Sequence, residues 1–155
     1  MNKVSINKRG FSLLELLIVF AIIVTIAAAG IGSFRNFGKG VNLNSATQIL
    51  ISDLKQMRSN SMIGSLGLKW GVHFVNGVDD YYEIFSTPTN YSDEEKVINI
   101  KNTLPDGIIF SEPTEGNTKD IIFNKITGGT DSATVVLFSE NMTETINITS
   151  IGTIY

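Results

Sequence analysis

Cysteine is absent from the 155 residues. No disulfide braces the fold, no thiolate holds a metal, and no cysteine nucleophile exists. Histidine occurs once, as His73. A serine–histidine–acid site needs its imidazole in a cleft beside an orienting acid. The alternating residues around His73 instead predict the polar face of a strand. No glycine-rich phosphate loop occurs. The acid runs Asp79-Asp80 and Asp93-Glu94-Glu95 lack EF-hand spacing. They read as a hairpin loop and a solvated turn, and Ser92 with Glu95 fits a capping box for a short helical turn. Enzymatic activity, a metal and a cofactor are therefore not expected.

Bases are scarce as well. The chain carries 12 against 15 acids, for a net charge of −3. From residue 126 to 155 there is neither lysine nor arginine. Salt-dependent phosphate binding needs several such contacts. Only a spatial cluster of Lys55, Arg58, Lys69, Lys119 and Lys125 would supply them, so nucleic acid is disfavoured as a partner.

What the chain has in quantity is an apolar run near its start. Residues 11–34 are interrupted, among polar types, only by Ser12, Glu15, Thr25 and Ser33. A spanning helix needs about 20 mostly apolar residues. Lys3, Lys8 and Arg9 precede the run, and the first ten residues hold no acid. The positive-inside bias places that end in the cytoplasm and the remainder outside. A processed secretory signal, with Ala27-Ala28-Ala29 as its small-residue site, and a plain single-pass anchor both fit this much. Glu15 fits neither, because an ionised carboxylate in hydrocarbon costs roughly 2.5–3.5 kcal/mol on insertion scales. Its presence asks for a partner.

The residues Lys8-Arg9-Gly10-Phe11-Ser12-Leu13-Leu14-Glu15-Leu16 resemble the class III signal of type IV pilins and pseudopilins. The resemblance implies cleavage after Gly10 by a prepilin peptidase and N-methylation of Phe11. It also implies that Glu15 pairs with the terminal amine of a neighbouring subunit during filament assembly. Charge balance supports that pairing, since a buried ammonium and a buried carboxylate offset each other's desolvation. Without the first ten residues nine bases face 15 acids, a net −6.

Four segments follow: a leader over 1–10, a transmembrane and assembly helix over 11–34, its amphipathic extension over 35–62, and an antiparallel β domain over 63–155. In the extension Leu43, Ala46, Ile49, Leu50, Leu54, Met57 and Ser61 recur at three- and four-residue steps. This stripe is expected to pack on the domain's own sheet. Gly30, Gly32, Gly38 and Gly40 each cost a helix about 1 kcal/mol relative to alanine. They predict either a soft hinge that melts on entry into a filament or a loop between two helices. Beyond Gly64 the period becomes two. Leu66, Leu68, Trp70, Val72 and Phe74 predict one face of a half-buried strand. Asn76-Gly77 predicts a hairpin turn, and Tyr81–Ser86 the return strand. Further strands are expected over 97–101, 107–111, 120–126, 133–139 and 145–150, with a short edge over 153–155. The fold class is α+β, a long hydrophobic helix packed on an antiparallel sheet or sandwich.

The stretch Lys69-Trp70-Gly71-Val72-His73-Phe74, the turn Leu104-Pro105-Asp106-Gly107-Ile108, the segment from Phe123 to Gly128 and the closing residues 146–154 resemble the H-type (GspH/FimT) pseudopilin family. That family implies a minor subunit of a type IV pilus or of a type II secretion pseudopilus. Its partners would be the prepilin peptidase, other pilin or pseudopilin subunits through the N-terminal helix, and an exported protein. Its location would be the inner membrane, with the β domain outside the cytoplasm and, after assembly, in a periplasmic or extracellular filament. Alternative readings are a minor pilin for DNA uptake or adhesion, and a plain membrane-anchored binding domain.

Overall fold

The computed structural model describes residues 12–155, and for residues 29–39 the backbone alone. The elements run α1 (Leu13–Met62), a 3-10 turn (Ser65–Gly67), β1 (Lys69–Val75), β2 (Tyr81–Thr87), β3 (Val97–Thr103), β4 (Ile109–Glu112), β5 (Thr118–Phe123), β6 (Ala133–Ser139) and β7 (Met142–Ile148). The chain divides into two compact units, Met1–Gly38 and Lys39–Tyr155. In the first, the described side chains over 12–28 are exposed. The backbone over 30–40 is helical rather than the loop that the glycines allowed.

The second unit is an α+β domain. A four-stranded antiparallel sheet has the order β3-β2-β1-β5, and a three-stranded one the order β4-β6-β7. One apolar core joins Leu43, Leu50, Leu54 and Met57 of α1 to Val72, Phe74, Ile84, Ile121 and Phe123 of the first sheet. It also takes in Phe110, Val135, Leu137, Ile146 and Ile148 of the second. The three- and four-residue spacing on α1 puts these side chains on one helix face. Ile49 departs from the expected stripe and is 58% exposed, because the inward face at that level belongs to Ala46 and Leu50.

Helix α1 stops where Gly64 takes a left-handed conformation, with its N–H on the Ser61 carbonyl at 3.1 Å. Only glycine adopts that geometry without a steric cost, and it satisfies a terminal helix carbonyl. The strand expected from Leu66 starts later, at Lys69. Leu66 sits in the 3-10 turn at φ 56° and is exposed. Three strands are displaced by one to three residues from their expected positions: β4, β5 and β7. The expected final edge is a single antiparallel bridge, Ile148 to Ile154.

Ser61 ties the helix end to the adjacent strands β1 and β5. Its hydroxyl accepts the Trp70 N–H at 2.8 Å and donates to the Phe123 carbonyl at 3.0 Å, fully buried. Ser61→Ala leaves that N–H without its partner. The variant is expected to lose about 1–3 kcal/mol of unfolding free energy, read by chemical denaturation. A loss under about 0.5 kcal/mol would show that water replaces the hydroxyl.

Candidate functional site

The sequence places the signal chemistry at Gly10, Phe11 and Glu15. Gly10 and Phe11 lie outside the described residues. Glu15 stands in the first turn of α1, its N–H on the Ser12 carbonyl at 3.1 Å. A carboxylate there faces the positive end of the helix dipole. Around it Leu13, Leu14, Leu16, Leu17, Ile18 and Val19 are all exposed. A helix that is apolar on every side needs lipid or other helices to cover it. Thr25 is satisfied internally, its hydroxyl donating to the Ile22 carbonyl at 2.8 Å. Among the described residues, no side chain of the chain bonds the Glu15 carboxylate.

Among the described residues no helix is long and apolar enough to cross a membrane. The part of the expected span over 11–34 with described side chains, residues 12–28, is shorter than the ~20 residues that a crossing needs.

The β domain carries a second polar constellation, on the sheet face turned away from α1. His73 is 7% exposed rather than on a solvated face. The loop after β2 lays Tyr91 flat over the imidazole, ring centroids 3.6 Å apart and planes within 4°. Tyr91 also meets Phe85 edge-on. Strand β1 is thereby covered on both faces, not half-buried as its alternation predicts. His73 Nδ1 lies 2.5 Å from the Asp120 carboxylate, brought opposite it by the β1–β5 register. The Tyr91 hydroxyl donates to Glu83 at 2.7 Å. Burial, and then that bond to Glu83, pushes the Tyr91 phenol well above its ordinary value. The members of this group satisfy one another.

The same loop forms no helical turn at Ser92–Glu95. Asn90 and Asp93 instead accept the N–H groups of Ser92 and Glu95 through their side chains. These Asx turns compete with the helix that a capping box would start. The Thr89 hydroxyl, donating to Asp93, holds that carboxyl below the usual range. Among the described residues no group of three histidine or acid side chains gathers to hold a metal.

Asn76 is not the tip of a tight turn. It is buried, and its side-chain amide donates to the carbonyls of Phe110 at 2.8 Å and Pro113 at 2.7 Å. The β1–β2 connection is longer, and Asp80 accepts from the N–H groups of Gly77 and Phe110. The expected basic residues are largely spent inside the domain. Arg58 bonds the Gly128 and Ile151 carbonyls, Lys125 the Gly67 carbonyl, and Lys119 pairs with Glu112 and the Thr134 carbonyl. On the helix side the Tyr82 hydroxyl donates to Asp53 at 2.7 Å. Burial, followed by that bond, raises the Tyr82 phenol well above its ordinary value. Neither Asp53 nor Arg58 belongs to the apolar stripe that the sequence shows on the helical extension. That stripe had no means of showing that each reaches a strand or loop distant in the chain.

The family model described as a prokaryotic N-terminal methylation motif matches residues 6–31. No curated protein and no solved structure matches the chain. The motif supports a type IV pilin-like protein, and with it prepilin-peptidase processing, membrane anchoring and filament assembly.

Proposed function

We propose that a chain bearing this N-terminal methylation motif is a minor pilin or pseudopilin of the H type. In this reading it is a non-enzymatic structural subunit of a type IV pilus or a type II secretion pseudopilus. The observation that carries it is register. The motif match over residues 6–31 takes in Lys8, Arg9, Gly10, Phe11 and Glu15, and the acid falls in the first turn of a helix exposed and apolar on every described side. Prepilin peptidase would cleave after Gly10 and leave Phe11 as the methylated terminus. The apolar segment over 11–34 would hold the subunit in the inner membrane by one crossing. In the filament the same segment would bury itself among neighbouring helices. The β domain would face the outside, where other subunits and exported protein reach it.

The intact mass of the full-length chain, expressed with and without a prepilin peptidase, tests this. The expected species begins at methylated Phe11 and appears only with the peptidase. An uncut chain, in cells where a known prepilin is cut, would reduce the protein to a plain anchored domain.

A further inference from the structure

Open strand edges pair with other chains unless something blocks them. The two sheets end in four edge strands among the described residues, β3, β5, β4 and β7, and three of them are guarded. Strand β7 is covered at its end by the closing segment, where Asn147 and Tyr155 exchange N–H to carbonyl bonds at 2.9 and 3.1 Å. Strand β4 is short, and its Phe110 N–H and carbonyl are capped by the side chains of Asp80 and Asn76. Strand β5 carries a charged residue on each face, Lys119 and Asp120, both paired within the domain. Strand β3 is neither covered nor capped; its one charged residue is Lys101, and its register against β2 shifts at Asn99. Six of its seven residues are exposed, with Val97 at 52%, Ile98 at 46% and Ile100 at 51%.

The lysines that flank or lie in β3 do not guard it. Lys96 Nζ sits 4.4 Å from the centre of the Tyr91 ring, and Lys101 Nζ 3.5 Å from that of Tyr81. Both are drawn onto aromatic faces. Within β3 the Asn99 amide donates to the Val97 carbonyl at 3.2 Å, and it also reaches the Ser86 hydroxyl at 3.4 Å. The register places Ile100 beside Ile84 on the helix side and Ile98 beside Phe85 on the other, so apolar surface is offered on both faces. Ile49, the helix residue left out of the core, lines a cleft with Tyr82, Asn102 and Thr103 along β3.

The charges around the edge describe its occupant. Exposed Glu94 and Glu95 stand just before β3. At its other end exposed Asp79 and Asp106 share a cleft with Thr103. We infer that β3 is a docking edge for an extended segment of a partner protein, apolar and uncharged in its middle and carrying lysine or arginine at its ends. Main-chain pairing would supply affinity, and the side-chain pattern with its terminal bases would supply selection. This edge belongs to the β domain alone, so the inference stands or falls apart from the filament reading.

The test uses the full chain in detergent and a labelled peptide, Lys-Lys-Val-Thr-Val-Thr-Val-Lys-Lys, followed by fluorescence anisotropy. Saturable binding is expected. It should weaken roughly tenfold or more in Ile98→Lys and in Ile100→Lys, both surface changes whose folding is checked by thermal melting. A peptide with glutamates at its ends should bind more weakly, and one N-methylated at alternate residues should not bind. Equal binding of the N-methylated peptide would overturn strand pairing. So would unchanged affinity in both lysine variants, or no binding by folded protein. Self-association of the chain that Ile98→Lys abolishes would assign the edge to a second copy and overturn the basic-ended partner.

Discussion

Replacing Glu15 by alanine is expected to leave processing and membrane retention intact while reducing incorporation into filaments on the order of a hundredfold. The reasoning starts from burial. Cleavage after Gly10 would create an ammonium at Phe11, four positions before Glu15. In a bundle of apolar helices that charge needs a counter-charge. Removing one partner of a buried pair costs about 3–5 kcal/mol, because the other charge stays uncompensated. Each 1.4 kcal/mol is a factor of ten in an equilibrium. The alanine variant is more hydrophobic than the parent over 13–28, so anchoring itself should not suffer. Glu15→Gln should fall between the two, keeping hydrogen bonding without the charge. The measurement is the ratio of subunit in sheared filaments to subunit in membranes, beside the intact mass of each pool. Full incorporation of the alanine variant would remove the pairing from the mechanism. Loss of processing would place Glu15 in peptidase recognition instead.

Gly71→Ala is expected to cost the β domain about 3 kcal/mol, at the upper end of what overpacking costs. For a domain of this size that lowers Tm by about 10–20 °C. Gly71 lies on the central strand β1, between Phe85 of β2 and Ile122 of β5 in register. A Cβ there would stand 2.6 Å from the Ile121 carbonyl oxygen and 2.9 Å from the Phe85 ring. The carbonyl belongs to a paired strand and cannot swing aside as a flexible side chain would. Phe85 is fully buried and held edge-on by Tyr91. Gly77→Ala is the matched control, since a Cβ at that position meets nothing within 4 Å. It should melt within about 2 °C of the parent. A Gly71→Ala variant as stable as the control would show that loop and sheet are not packed as closely as these distances require.

Both predictions rest on features of unequal legibility. Glu15 was readable at once, because a lone acid in an apolar run violates a strong rule and its neighbours form a specific motif. The tight fit of Gly71 was not. In the sequence it is one small residue in an alternating strand, and only the β1–β5 register and the placement of Phe85 give it a crowded neighbourhood. His73 shows the same gap. Alternation put it on the polar face of its strand, where it lies, but alternation cannot report that Tyr91 returns from a loop to cover that face. Asn76-Gly77 carried the local chemistry of a tight hairpin. Tertiary contacts overrode it, because two carbonyls at and beyond β4 take the Asn76 amide.

Residue order alone carries the resemblance to a class III signal at Gly10, Phe11 and Glu15, the one-sided apolar pattern of the helical extension over 35–62, and the succession of short antiparallel strands. These are local periodicities and motifs, set by covalent geometry and by how often apolar side chains recur. Which faces are covered, where the charges are spent and which strand edge is left open follow from tertiary contacts. Those outcomes depend on residues far apart in the chain meeting in one place, as Asp120 meets His73, Arg58 meets Ile151, and Tyr91 meets His73.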